Sequence, residues 1–205
     1  IIFGCGGHAR SIANILFESK KYEIIAFIGN NIQSKKLLDI RTLKENKFFE
    51  NKFDCKNFII GIGDISKREN CYKKVMKYYP KAKFPTIIHP NTSISKNVKL
   101  GIGTVVMSNV VVNISSKIGK FCILNTSSTI EHDCIIEDYV SIAPNASIAG
   151  TCHVKKCSFI GIGSSIINNI KIGSSVIVGA GSSVVKNLSS NNTYVGNPAK
   201  KIIKN

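Results

Sequence analysis

An aliphatic residue recurs at every sixth position over almost half of this chain. Seventeen consecutive positions of the series, from Ile88 to Val184, hold isoleucine, leucine or valine without exception. An α-helix repeats its apolar positions every 3.6 residues and a half-buried strand every two, so neither explains the pattern. A period of six is typical of a parallel β-helix built from hexapeptide repeats. Three repeats would close one coil, and each inward aliphatic side chain would stack on its equivalent about 4.8 Å away.

A small or β-branched residue stands four places after most of these aliphatic positions and would fill the narrow space near a corner. Cys122, Cys134 and Cys152 occupy such positions, so we expect them to be buried core residues rather than ligands or nucleophiles. The seven cysteines include no CxxC pair, which argues against a disulfide framework and against a zinc ribbon. A reducing cytoplasm fits this usage best.

Residues 1–86 have a different residue pattern, which predicts a separate domain. Residues 1–3, 23–28 and 57–62 have the composition of strands, and residues 8–20 and 66–79 that of helices. Strand–helix alternation favours a small parallel sheet of Rossmann type. We therefore expect three segments: a nucleotide-binding domain over 1–86, a β-helix over 87–190 and a C-terminal tail over 191–205. The chain opens without a methionine inside a predicted strand, which suggests that a few residues precede it.

Two glycine turns follow the first and third predicted strands. Residues 4–9 (GCGGHA) fit the loose pattern GxGxxG/A, in which glycines let the backbone approach a phosphate at a helix N-terminus. The acidic residue that dinucleotide enzymes carry after the second strand is absent, because residues 29–31 read Gly-Asn-Asn, so an NAD site is not expected. Residues 61–64 (GIGD) would lie beside the first turn. Either a phosphate-bearing ligand binds here, or the turns only pack helix on strand.

His132 is the histidine of greatest chemical interest, because an acid flanks it on each side, Glu131 and Asp133. A carboxylate can fix the tautomer of an imidazole and raise its basicity; the alternative is a solvated polar corner. We interpret His89 and His153 as structural. His132 and His153 are not separated by a whole number of coils, so no metal site is expected.

The net charge of +16 does not predict nucleic-acid binding. The excess is almost all lysine, spread along the chain without the interleaved aromatic residues that stack on bases. A solvated surface is the simple interpretation, and attraction of small polyanions such as nucleotides is the alternative. No apolar run is long enough to span a bilayer.

Four segments together resemble the NeuD/PglD-type family of sugar acetyltransferases: residues 4–9, residues 61–64 with Arg68, residues 124–134 (LNTSSTIEHDC) and residues 195–200 (VGNPAK). The resemblance covers essentially the whole chain. It implies a left-handed parallel β-helix after a Rossmann-like domain, a homotrimer, and an acetyl-CoA site in the groove between adjacent prisms.

The resemblance also implies roles for individual residues. His132 would be the general base, Asp133 its orienting acid and Asn125 a substrate contact. The nucleotide sugar would meet four residues of the first domain: Gly6, Gly7, His8 and Gly63. The acetyl-CoA groove would include three positions on the β-helix: Ser141, Ile162 and Ala180.

This chain departs from relatives at two places. Many relatives have a second histidine where Ser141 stands, and members that use UDP-sugars often have an aspartate pair where this chain has Gly29 and Asn30. We expect N-acetylation of a nucleotide-linked amino sugar of the UDP-4-amino-4,6-dideoxy type, in bacterial surface glycan biosynthesis. The alternatives are O-acetylation of a sialic or related nonulosonic acid and, from another class, a non-catalytic trimeric scaffold.

Overall fold

The computed structural model describes residues 1–51 and 53–202, and the chain divides into two compact units at residues 87 and 88. The first unit is built on a five-stranded sheet in the order β3-β4-β2-β1-β5, in which only the β3–β4 pair is antiparallel. Its elements, in chain order, are β1 (Ile2–Phe3), α1 (Gly7–Ser19), β2 (Phe27–Gly29), β3 (Lys36–Leu37), β4 (Ile40–Lys44), α2 (Glu45–Glu50), β5 (Ile59–Ile60) and α3 (Ile65–Tyr78).

The strand order of this unit creates a switch point at β1. The chain passes from β1 to β2 on one side and reaches β5 on the other. Ligands of open α/β sheets bind outside the carboxyl ends of the strands at such a point. Both glycine turns follow strands that meet there. The first turn is tightly fitted, since Gly4 has φ +120° and a side chain on it would collide with the carbonyl oxygen of Gly61.

A cluster of aromatic rings fills the core of the first unit. Phe48 lies edge-on to Phe3, with ring centroids 5.5 Å apart, and is buried together with Phe58. Residues 36–50, where β3, β4 and α2 form, were not predicted to form any element from the sequence. Strand β4 (IRTLK) is only partly buried, so its apolar alternation is weak, and α2 has too few residues to display helical periodicity.

The second unit is a left-handed parallel β-helix, which confirms the predicted fold class. Two-residue strands form three faces, and each strand pairs with its equivalent in the next coil, as Val111 does with Thr129. The first face contains β7 (Ser93–Ile94), β10 (Val111–Val112), β13 (Thr129–Ile130), β16 (Ser147–Ile148), β19 (Ser165–Ile166) and β22 (Ser183–Val184). The second face contains β8 (Lys99–Leu100), β11 (Lys117–Ile118), β14 (Ile135–Ile136), β17 (His153–Val154) and β20 (Lys171–Ile172). The third face contains β6 (Ile87–Ile88), β9 (Val105–Val106), β12 (Ile123–Leu124), β15 (Ser141–Ile142), β18 (Phe159–Ile160), β21 (Ile177–Val178), β23 (Thr193–Val195) and β24 (Lys200–Lys201).

The repeating aliphatic residues form the core of the β-helix from Val106 onward, whereas Ile88, Ile94 and Leu100 of the first coil remain partly or largely exposed. The small position four places on is also buried. Cys122, Cys134 and Cys152 lie there as predicted.

The corners of the β-helix depend on a left-handed residue, with φ between 53° and 68°, at every sixth position from Gly103 to Gly181. This position falls three places after the inward aliphatic residue. Several glycines stand directly after the inward aliphatic residue, two places before this left-handed position. Glycines at that earlier place serve close approach of neighbouring coils instead: a side chain on Gly173 would come 2.5 Å from the backbone nitrogen of Ser190.

The last coil is shorter than the others. Val178 pairs with Tyr194, which stands before the position that a full coil would reach, and Tyr194 is buried in the core. Strand β24 then pairs antiparallel with β23. Residues 191–202, part of the segment predicted as a tail, thus add two strands to the third face, and residues 203–205 of that segment lie outside the described residues.

Candidate functional site

A cavity of about 810 Å³ lies at the carboxyl edge of the sheet in the first unit. Both glycine turns line it, together with residues that follow β2 and the start of α2. Gly6, Gly7 and Gly63 are exposed there, and a side chain added at any of them would meet no atom within 4 Å. Gly6 is the N-cap of α1 and supplies no side-chain cap, so the first backbone N–H groups of this helix are available to an anion.

His8 stands in the first turn of α1 and also lines the cavity. Its Nε2 atom is buried and has no hydrogen-bond partner among the described residues. Burial, and secondarily the nearby Arg68 guanidinium, lower the pKa of His8 to about 4. The ring is therefore neutral at pH 7, with one N–H donor and one acceptor nitrogen.

Arg68 positions the second glycine turn. Its side chain is almost fully buried, and Nη1 donates to the carbonyl oxygens of Ile62 at 3.0 Å and Gly63 at 2.7 Å. Asp64 follows as the N-cap of α3, and its Oδ1 accepts from the backbone N–H of Lys67 at 2.8 Å. This bond and a second one from Ser66 lower the pKa of Asp64.

Glu45 brings a carboxylate to the other side of the cavity, and the sequence analysis had not singled it out. Oε1 of Glu45 forms an ion pair of 2.6 Å with Nζ of Lys74, and Oε2 accepts from Nδ2 of Asn30 at 2.8 Å. Gly29 offers no side chain here, and a Cβ at this position would lie 2.8 Å from the Sγ atom of Cys5.

His132 lies on the corner between the first and second faces, with 54% of its side chain exposed. Its Nδ1 is 2.8 Å from Oδ2 of Asp133. Because a carboxylate only accepts, Nδ1 carries the proton in the neutral ring and Nε2 has a free lone pair. Glu131 does not compete for this role, since its Oε2 accepts from Nδ2 of Asn113 at 2.7 Å.

Gly150 makes room for the imidazole of His132. It lies one coil beyond His132, and a Cβ on it would lie 2.6 Å from both Cε1 and Nε2 of the ring. The backbone N–H of Thr151 also donates to the carbonyl oxygen of His132 at 2.9 Å. Gly150 was missed from sequence, although its place one full coil after His132 would have identified it.

The other predicted residues of the β-helix lie elsewhere. Asn125 follows β12 at the corner between the third and first faces, and no hydrogen bond within the described part of the chain links it to His132. Ile162 is 52% exposed, and Ala180, also exposed, stands one coil beyond it. Ser141 lies on β15 and retains only 5% exposure.

Two features are absent from residues 1–51 and 53–202. No group of three or more histidine, cysteine, aspartate or glutamate side chains lies close enough together there to hold a metal ion. No helix in the same ranges is both long and apolar enough to cross a bilayer.

Comparison with known proteins gives matches for both units. Residues 1–75 match the family described as the PglD N-terminal domain. Residues 115–150 match the bacterial transferase hexapeptide family (six repeats). A GDP-perosamine N-acetyltransferase from Escherichia coli O157:H7 is 28% identical over 168 residues, which cover 80% of this chain and 75% of that protein.

Solved structures resemble the whole chain. A GDP-perosamine N-acetyltransferase variant from Caulobacter crescentus, in complex with CoA and GDP-perosamine, superposes with a TM-score of 0.92 at 27% identity, covering 99% of this chain and 96% of that one. The acetyltransferase domain of PglB from Neisseria gonorrhoeae, in complex with acetyl coenzyme A, gives 0.91 at 27% identity, covering 98% and 97%.

Proposed function

Because the chain belongs to the NeuD/PglD-type family of sugar acetyltransferases, we propose that it transfers an acetyl group from acetyl-CoA to the amino group of a nucleotide-linked amino sugar. The observation that carries this proposal is the exposed His132 ring, whose Nδ1 is 2.8 Å from the carboxylate of Asp133. An imidazole changes charge near neutral pH, which suits a base that takes one proton from the neutral acceptor amine during its attack and gives that proton up afterwards.

In the proposed mechanism, Nε2 of His132 takes a proton from the acceptor nitrogen as that nitrogen attacks the thioester carbonyl. Asp133 stabilises the imidazolium that forms. The C–S bond then breaks, and the CoA thiolate leaves and receives the proton from His132. No acyl-enzyme is required, since holding both reactants together supplies much of the acceleration.

The cavity of the first unit supports binding of the nucleotide part of the acceptor. Its volume is within the range of small-ligand sites, roughly 300–1,000 Å³. Two cationic side chains that line it, Arg10 in α1 and Lys67 in α3, belong to the helices that follow the glycine turns and suit a diphosphate. Gly6, Gly7 and Gly63 leave the backbone accessible, and His8 brings a neutral ring with an unpaired nitrogen. The sequence suggested a UDP-sugar, whereas relatives are named for GDP-perosamine.

We assign the acetyl-CoA groove to the β-helix. The exposure of Ile162 and Ala180 on neighbouring coils supports this assignment. The burial of Ser141 argues against more than a minor contact of its side chain with the co-substrate. Acetyl-CoA and nucleotide sugars are cytoplasmic metabolites in bacteria, so we place the activity in the cytoplasm.

We further propose that the active unit is a homotrimer. Asn125 and His132 occupy different corners of one coil, and a neighbouring β-helix would bring the two kinds of corner together across a groove. Exposed aliphatic side chains at both kinds of corner support an interface: Ile114 and Ile167 follow strands of the first face, and Ile162 follows a strand of the third face, on which Ile177 also lies.

The function is tested by mass spectrometry after incubation with acetyl-CoA and three separate acceptors: a GDP-linked 4-amino-4,6-dideoxy sugar, its UDP-linked counterpart and free sialic acid. We expect one nucleotide sugar to gain the mass of a single acetyl group at nitrogen. Acetylated sialic acid alone would instead establish an O-acetyltransferase. Modification of none of them, with no binding of acetyl-CoA, would favour a non-catalytic scaffold.

The role of His132 is tested by His132→Ala, which should lower kcat by roughly a hundred- to ten-thousand-fold, the range of general-base catalysis, while the protein stays folded. His153→Ala is a matched control, because Nε2 of His153 has a comparable partner in Glu137 at 2.7 Å but no proposed role in transfer. Near-normal turnover of His132→Ala would contradict the mechanism.

A further inference from the structure

We propose that Glu45 selects the nucleobase in the cavity of the first unit and favours guanine over uracil. This inference rests on the proposed function, because it concerns the nucleotide portion of the acceptor. The strand order β4-β2-β1-β5 separates two groups of lining residues. The glycine turns follow β1 and β5 and suit the diphosphate, whereas the residues after β2 and β4 lie toward the other side and are available to the base.

Glu45 is the carboxylate that remains on the base side. The described residues that line the cavity include two acids, Glu45 and Asp64. Asp64 belongs to the second glycine turn, on the diphosphate side, and its Oδ1 accepts from Ser66 and Lys67 at the start of α3. Position 29 carries no side chain, and the Sγ atom of Cys5 lies 2.8 Å from where its Cβ would be.

The surroundings of Glu45 hold its carboxylate in one place. The side chain is only 18% exposed, Lys74 contacts one oxygen and Asn30 the other. Lys74 is itself supported by the ring of Phe49, 5.2 Å from its Nζ. A carboxylate oxygen cannot donate, so Asn30 must point its NH₂ group at Glu45. The carbonyl oxygen of Asn30 is then left as an acceptor on an exposed side chain.

The atoms that Glu45 and Asn30 present to a base are mainly acceptors: the carboxylate oxygens, which keep unused lone pairs, and the carbonyl oxygen of Asn30. The Watson–Crick edge of guanine carries two adjacent donors, N1–H and the N2 amino group, which match a carboxylate in a charge-assisted pair. Uracil offers a single N3–H between two carbonyl oxygens, and those oxygens would face further acceptors. Adenine offers one amino group beside an acceptor nitrogen. Selection of guanine therefore comes from repulsion between acceptors when another base binds, as well as from the favourable pair between guanine and the carboxylate.

The test is isothermal titration of the full chain with GDP, UDP and ADP, in the absence of acetyl-CoA and of any sugar. We expect GDP to bind at least about tenfold more tightly than either competitor. Glu45→Gln should weaken GDP binding by roughly ten- to a hundredfold, the loss that follows removal of a charge-assisted hydrogen bond. UDP binding should change by less than about threefold, because it makes no such pair.

Glu50→Gln is the matched control, since Glu50 ends the same helix, is exposed and does not line the cavity. It should leave binding of all three nucleotides unchanged. If Glu45→Gln does not fold, as judged by circular dichroism, Asn30→Ala carries the test: it removes one exposed side chain and should weaken GDP selectively.

Equal binding of GDP and UDP by the wild type, equal binding of GDP and ADP, or an equal loss for all nucleotides in Glu45→Gln would each overturn the proposal. So would the absence of any nucleotide binding. A preference for GDP without acetyl transfer would leave this inference standing and refute the proposed function. Acetyl transfer to GDP- and UDP-linked sugars with equal KM would support the proposed function and refute the role of Glu45.

Discussion

The four histidines of this chain occupy three kinds of environment. His8 is buried beside a guanidinium, His132 and His153 each contact a carboxylate, and Nδ1 of His89 accepts from the backbone N–H of Asn91 at 3.0 Å. The contact of His132 with Asp133 could be predicted from the sequence, because the two residues are adjacent in the chain. The partner of His153 could not, because Glu137 is distant along the chain and meets it only through stacking of coils.

His8 makes a specific prediction about acid stability. Its pKa in the folded protein, about 4, lies below the ordinary value of about 6.5, so the unfolded chain binds the proton more tightly. The contribution of the neutral His8 ring to the stability of the folded protein is therefore complete above pH 6.5 and is lost as the pH falls toward 4. We expect this group to lower the free energy of unfolding by about 3 kcal/mol between pH 7 and pH 4.

Urea denaturation of the wild type and of His8→Asn at several pH values measures this effect. The difference in unfolding free energy between the two proteins should be constant above pH 7. On acidification to pH 4, the wild type should lose that amount of stability relative to the variant. A difference that does not vary with pH would show that His8 remains solvated.

Among the elements, the corner that carries His132 was the easiest to place and the short pieces of the first unit were the hardest. The register from one coil to the next determines every neighbour in the β-helix, so burial of Cys134 and Cys152 followed from counting. Glu45 has no such signal, because it begins a short helix after a half-exposed strand. Its contact with Asn30 depends on the pairing of β2 with β4, which arises only in three dimensions.

Gly150→Ala tests the contact between neighbouring coils at the candidate active site. The new methyl group would lie 2.6 Å from Nε2 of His132, so the ring must move. A displacement of about 1 Å in a catalytic group can cost roughly a hundredfold in rate, and we expect a loss of that order in kcat with the β-helix intact.

The matched control for this change is Gly173→Ala, which inserts the same methyl group against the backbone of Ser190. It should reduce thermal stability and leave kcat per folded molecule unchanged. Normal kcat in Gly150→Ala would mean that the observed ring position is not needed for transfer.

At the scale of the whole molecule, the hexapeptide repeat predicts the fold of a single chain but not the number of chains that assemble. The hexapeptide period specifies inward and corner positions, and it carries no information on which outer face meets a partner. The isoleucines could be recognised as exposed only from the folded structure, because exposure depends on the neighbours of each side chain. Ile114, at 56% exposure, stands one coil before His132 and reads in the sequence like any other corner residue.

Subunit mixing tests the proposed trimer and its shared site together. Sedimentation should give a mass three times the 22.4 kDa of this chain. His132→Ala and Asn125→Ala should each be nearly inactive alone. If the two residues act from neighbouring subunits, unfolding and refolding an equal mixture should restore up to about a quarter of the sites.

The same mixture without refolding serves as the control, because the subunits then remain unexchanged. A monomeric mass would refute the trimer. No recovery in a refolded mixture of the expected mass would place Asn125 and His132 in the same functional site of a single subunit, or outside the site altogether.

The strict pairing of equivalent residues in successive coils also limits how the length of this protein can change in evolution. Losing or gaining a single residue in the middle of the β-helix would turn every later aliphatic side chain away from the interior. Removing one complete coil would keep all columns aligned. Insertions and deletions in this region should therefore come in whole coils, and His132 and Gly150 would remain neighbours in any lineage that loses coils on either side of them.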